Sequence, residues 1–152
     1  MEDILIYADG ACRGNQNQTN VGAYAYSLSC GDKKKSFAEA VANTTNNKME
    51  LMSVISALKA LKPAAYTAKI IIYSDSQYVV SGYNQWMVGW IAKNWNGVKN
   101  PDLWQELLAE SRKFSNLTIV KVPGHADCEG NNQVDLLCNA AMDQYFYEHR
   151  SK

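Results

Sequence analysis

The sequence predicts an α/β fold: a five-stranded mixed sheet, part antiparallel meander and part parallel strands, with helices packed on both faces. Three observations predict it. The segments Asp3-Ile-Leu-Ile-Tyr-Ala-Asp9-Gly10 and Lys69-Ile-Ile-Ile-Tyr-Ser-Asp75 share one grammar, a β-branched and aromatic run that ends on an aspartate, as expected of strands buried on both faces. Between them, small and aromatic residues alternate on either side of a Gly31-Asp32 turn. The second aspartate and the last apolar run are each followed by residues at helical spacing.

The elements follow in order. After the first strand, Gly10 to Asn20 reads as a polar loop; it lacks both G-x-G-x-x-G and a Walker lysine, so it does not cradle a nucleotide. Val21 to Leu28 and Ser36 to Ala42 form a hairpin, with Lys33, Lys34 and Lys35 as a solvated turn. A helix follows, capped by Thr44 or Thr45, with Leu51, Val54, Ile55, Leu58 and Leu61 on one face and Pro63 ending it. Glu50 lies near its amino-terminal end, where a glutamate ordinarily serves the helix dipole or a capping box.

Beyond Asp75 the pattern gives a short helix over 76–82 and a second over 83–95. The second carries Trp86, Trp90 and Trp95: the latter two read as an aromatic mini-core, whereas Trp86 can equally pack on a sugar or a base. Pro101 starts a helix through Glu110, and Leu117 to Val122 is the last strand. A Pro123-Gly-His125 loop leads into a closing helix around Asn131 to Met142, in which Leu136, Cys138, Ala141 and Met142 are expected to be buried. Asp135 lies beside that face, and His149 is incidental.

If the strands ending at Asp9 and Asp75 lie parallel and adjacent, both carboxylates finish at one sheet edge, where open α/β sheets place their sites. Two anions brought together in a partly desolvated crevice repel, so one pKa rises or a cation binds.

The bulk properties narrow the possibilities. One domain spanning residues 1–152 is expected, large enough to bury a core without staples. Lys plus Arg equals Asp plus Glu at 15 each, so no global basic field attracts a polyanion, and any nucleic-acid binding must come from a local patch. The four cysteines include no C-x-x-C pair, which argues against zinc and for free thiols in a reducing compartment. The start is acidic with a short apolar run and no stretch is long enough to span a bilayer, so a cytoplasmic location without membrane attachment is expected.

Four short motifs in order then decide the reading. Tyr7-Ala-Asp9-Gly10-Ala-Cys-Arg-Gly14-Asn15, Thr44-Thr-Asn-Asn-Lys-Met-Glu50-Leu, Ser74-Asp75-Ser-Gln-Tyr78-Val, and Val122-Pro-Gly124-His125-Ala with the later Asp135 resemble the motifs of the type 1 ribonuclease H family. The resemblance covers nearly the whole chain. It implies a ribonuclease H-like fold and an endonuclease that hydrolyses the RNA strand of RNA–DNA hybrids, leaving 5′-phosphate and 3′-hydroxyl ends. Asp9, Glu50, Asp75 and Asp135 would converge on two Mg2+ ions, with Mn2+ as an alternative, and His125 would shuttle a proton from a loop beside them.

The chemistry explains the demand independently. Phosphodiester hydrolysis needs a nucleophile at neutral pH and charge relief on the leaving oxygen, and two hard cations roughly 4 Å apart supply both. Oxygen donors suit magnesium.

By the same resemblance Asn15, Asn47 and Gln77 reach base edges or sugars in the hybrid minor groove, Thr45 and Asn46 hold a DNA phosphate, and Trp86 packs on deoxyribose. Contacts of this kind position a backbone without reading sequence. Two features depart from the family pattern. The loop after Asn15 reads Gln16-Asn-Gln-Thr-Asn20 rather than Gly- and Pro-rich, and the handle-like segment over 83–99 holds only Lys93 and Lys99 as cations. A weak, salt-sensitive grip is therefore expected, supplemented by Lys48, Arg13 and Lys33 to Lys35. A monomer is expected. The competing readings are a non-cutting hybrid-binding module and another nuclease or integrase of the same fold.

Overall fold

The computed structural model describes residues 2–15, 18–122 and 129–149; the side chains of residues 15, 18 and 19 lie outside the description, as does the expected His125 loop. Strands β1 (Ile4–Asn15), β2 (Gln18–Cys30) and β3 (Lys33–Ala42) form an antiparallel meander. Helix α1 (Asn46–Lys59) and a 3-10 turn over Pro63–Thr67 lead to β4 (Lys69–Ser74), which pairs in parallel with β1. Helix α2 (Gln77–Ser81), a π-turn (Gly82–Trp86), α3 (Met87–Ala92) and α4 (Pro101–Ser111) precede β5 (Asn116–Lys121), parallel to β4. Helix α5 (Glu129–His149) is the last described element. The sheet order is β3-β2-β1-β4-β5, five strands as expected.

Strand alternation sends side chains to two cores. Ile4, Ile6 and Ala8 of β1 join Leu51, Val54, Ile55 and Leu58 of α1 and Trp104 and Leu107 of α4 on one face. On the other, Val21, Ala23 and Ala25 of β2 meet Val134, Cys138 and Met142 of α5. Helices thus cover both faces. No helix among the described residues is long and apolar enough to cross a membrane.

Four expectations need correction. The first strand does not stop at Asp9: β1 runs on to Asn15, because Gly10 to Arg13 pair in register with Tyr24 to Val21, and that ladder satisfies the backbone of a stretch whose side chains look like loop. The tryptophan helix ends at Ala92, leaving Trp95 beyond it at φ 65°. Lys33, Lys34 and Lys35 begin β3 rather than filling a turn. Leu136 is 67% exposed: the buried stripe of α5 is Val134, Cys138 and Met142 at i, i+4, i+8, which turns Leu136 to solvent.

Around Trp104 the packing is close. Its fully buried indole N–H donates to the Tyr78 hydroxyl at 2.9 Å, and its ring lies so near Gly82 that a Cβ there would sit 2.2 Å from Cη2. Trp90 stacks edge-on against it with centroids 5.0 Å apart, the aromatic mini-core anticipated for that residue. Trp86, tilted against Trp90, stays 44% exposed.

Candidate active site

Ala8 of β1 and Ser74 of β4 are register partners, so Asp9 and Asp75 follow at the same level of two adjacent parallel strands. There the strands part. β1 continues alongside β2, whereas β4 ends at Ser74 and its chain turns into α2. The turn is held by Ser74 Oγ, which accepts from the Ser76 N–H at 3.1 Å, and by Ser76 Oγ, which caps α2 by accepting from the Val79 N–H at 3.2 Å. Asp9 and Asp75 thus flank the point where the two strands diverge, the position at which open α/β sheets place their sites.

Helix α1 brings the third acid. Thr45 is the cap, its hydroxyl accepting from the Lys48 N–H at 3.2 Å, which places Glu50 in the second turn, beyond the capping-box position at Lys48. The Gly10 N–H donates to Glu50 Oε1. That contact needs a glycine: a Cβ on residue 10 would stand 2.3 Å from the backbone nitrogen of Glu50 and from the carbonyl carbon of Met49. The turn entering α1 is itself tied to β2, since the Thr44 N–H donates to Asn20 Oδ1 at 2.8 Å and the Asn43 N–H to the Asn20 carbonyl at 2.9 Å.

Asp9, Glu50 and Asp75 each present a carboxylate oxygen within 4.8 Å of the others. Asp9 is 4% exposed and Glu50 9%, whereas Asp75 is open to solvent. Burial first, then the charges of Asp75 and Asp135, push the Asp9 carboxyl up to about 8. Burial, then Asp9 and Asp75, push Glu50 up to about 10. No cation among the described residues pairs with these three acids. All the donors are carboxylate oxygens, and no described cationic side chain offsets their like-charge repulsion; both facts fit a hard divalent cation.

Asp135 stands apart from that trio. It is exposed on α5, yet near enough for its charge to raise the Asp9 pKa. Thr45, Asn46 and Asn47 are all exposed around the amino terminus of α1. Asn15 ends β1. Gln77 opens α2, its amide donating to Ser81 Oγ and accepting from Lys121 Nζ at 3.1 Å. His125 lies outside the described residues.

The ribonuclease H family profile matches residues 1–143. The chain belongs to the ribonuclease H family. A Ribonuclease H of Clostridium botulinum is 43% identical over 151 residues, covering 95% of this chain and 99% of that one. Among solved structures, LC9-RNase H1, a type 1 RNase H with the type 2 active-site motif, superposes with a TM-score of 0.82 at 25% identity over 94% of this chain and 73% of that chain. LC11-RNase H1, solved in complex with an RNA/DNA hybrid, shares the fold with a TM-score of 0.66 at 21% identity over 94% and 99%.

Several residues of this ribonuclease H that shape the site escape a reading by motif. Gly10 looks like a turn residue and proves to be a point of backbone contact between β1 and α1. Asn20 lies in the stretch that departs from the family pattern. Cys138, fully buried on α5 with its thiol 3.4 Å from the Asp9 carbonyl, looks like ordinary core; burial pushes that thiol up, with the site carboxylates adding to it. Arg13, expected to help grip the duplex, is instead engaged with Asp143 and Asn139 of α5. The lysines of β3 pair with the Leu28 to Cys30 end of β2, at the end of the sheet away from Asp9, and so do not supplement the site.

Proposed function

We propose that the chain hydrolyses the RNA strand of RNA–DNA hybrids, largely without regard to sequence, leaving 5′-phosphate and 3′-hydroxyl ends, and works as a single-domain, cytoplasmic monomer. Family membership supports the chemistry. The observation that carries it is the convergence of Asp9, Glu50 and Asp75 within 4.8 Å, two of them buried and none paired with a cation among the described residues. Cys12, Cys30 and Cys138 are all free thiols, in keeping with a reducing compartment.

Asp9, Glu50, Asp75 and Asp135 would hold two Mg2+ ions, with Mn2+ able to take their place. When bound, such ions supply a hydroxide-like nucleophile at neutral pH and charge relief at the leaving oxygen. The protein's own part is placement. Gly10 fixes one carboxylate oxygen of Glu50, and the family resemblance suggests a ribose 2′-hydroxyl as a partner of that side chain. Thr45 and Asn46, at the amino terminus of α1, suit a phosphate of the DNA strand. Asn15, Asn47 and Gln77 would meet sugars and base edges, and the exposed indole of Trp86 offers a deoxyribose an apolar surface. His125 would move the proton that product release requires.

Cleavage of a hybrid labelled in its RNA strand, with and without Mg2+, tests the reading against duplex DNA and duplex RNA as controls. Wild type should cut the hybrid alone and only with the ion, and Asp75→Asn should lose activity by orders of magnitude while keeping its fold. Binding without cutting, or equal cutting of duplex DNA, would overturn it.

A further inference from the structure

Unlike Asp9 and Glu50, Asp135 is held in place neither by burial nor by a backbone hydrogen bond to its carboxylate. A short acid on an open helix face turns freely, and a metal ligand that turns freely binds poorly. Three residues of α5, Asp135, Asn139 and Asp143, lie four apart and so form one stripe on the helix beside the buried Val134, Cys138 and Met142. On β1, Asp9 and Arg13 point to the same face of the sheet. Eight helical residues advance about 12 Å and four strand residues about 13 Å, so Asp135 faces the level of Asp9 as Asp143 faces that of Arg13.

Hydrogen bonds connect this stripe in one direction. Arg13 Nη1 donates to Asp143 Oδ1, and Arg13 Nη2 donates to Asn139 Oδ1 at 2.8 Å. A guanidinium has donors only, so it dictates which end of the Asn139 amide faces it: the oxygen. The amide nitrogen must then face the preceding turn. It does, with Asn139 Nδ2 at 3.1 Å from the Asp135 carbonyl and 3.5 Å from Asp135 Oδ2.

We infer that Asn139, turned by Arg13, is a positioning residue that orients the Asp135 carboxylate toward the site. The assignment rests on Asp135 belonging to the ion-binding set. Without Arg13 the amide is free to flip and present its oxygen to the carboxylate, which repels it. Sequence offers little sign of this, since an arginine inside the first motif reads as a duplex contact and an asparagine in the last helix as solvated surface.

The test is calorimetric titration of Mn2+ into the ion-free enzyme, with far-UV circular dichroism to confirm that α5 is formed. Asn139→Ala and Arg13→Met should each weaken binding about tenfold. Neither should weaken it further in an Asp135→Ala background. Asp143→Ala, which removes the ion pair and leaves the amide in place, should keep wild-type affinity. Equal weakening by Asn139→Ala with and without Asp135, or equal weakening by Asp143→Ala, would show a general clasp on the helix and overturn the inference. If Asp135→Ala weakens Mn2+ binding and Asn139→Ala does not, the relay alone fails. If Asp135→Ala itself changes nothing, Asp135 is outside the ion-binding set.

Discussion

Gly10 and Glu50 meet where α1 crosses β1: the glycine N–H donates to the glutamate carboxylate, and the two backbones are too close for any side chain at residue 10. One contact therefore sets both the depth of the helix against the sheet and the aim of a site acid.

Gly10→Ala should be costly on both counts. The added methyl meets backbone rather than a yielding side chain, so α1 must lift, at about 3 kcal/mol. Urea denaturation should show that loss, with hybrid cleavage falling further than the remaining folded fraction explains.

Removing a buried acid should have the opposite effect on stability. The folded-state pKa of Asp9 is raised from 3.8 to about 8, so its protonated form favours folding. That contribution is complete below about pH 4 and is lost as pH rises through about 8. Glu50, raised from 4.5 to about 10, follows the same sign over a higher window. Asp9→Asn and Glu50→Gln should accordingly melt above the wild type at pH 8 without divalent ions, by on the order of 2 kcal/mol. The gap should close toward pH 5 and on addition of Mg2+. Differential scanning calorimetry across that range checks it; both variants should be inactive.

Two neighbouring tryptophans should separate binding from folding. Trp86 is 44% exposed, and its alanine variant should raise KM for the hybrid by about tenfold, leaving kcat and Tm nearly unchanged. Trp90 packs against Trp104, so Trp90→Ala should cost about 3 kcal/mol of stability. Steady-state kinetics beside thermal melts distinguishes the two.

The grip on the duplex is open to the same kind of measurement. Lys93 and Lys99 are exposed in and after the tryptophan segment. Replacing either with alanine should reduce the slope of log K against log salt by about 1, whereas Lys34→Ala, at the other end of the sheet, should leave it unchanged. Hybrid binding in Ca2+ across a salt series reads this out.

The fold class was legible because it rests on local patterns. Apolar runs ending at Asp9 and Asp75, a Gly31-Asp32 turn and an apolar stripe from Leu51 to Leu58 are all statements about near neighbours in the chain. Where the reading failed, partners distant in sequence had intervened. Gly10 to Arg13 looked like loop until β2 supplied their hydrogen bonds, and Leu136 looked like core until Val134 proved to be the residue facing the sheet.

The site divides along the same line. That Asp9, Glu50 and Asp75 come together could be told from the chain, since each lies in a short motif that resembles the family's. How they are held could not. The raised pKa values of Asp9 and Glu50 come from burial beneath other elements, the aim of Glu50 from a peptide N–H 40 residues away, and the setting of Asn139 from an arginine 126 residues earlier. Hydrogen bonding and desolvation act through space over a few ångströms, and linear order carries no record of which atoms folding will bring that close.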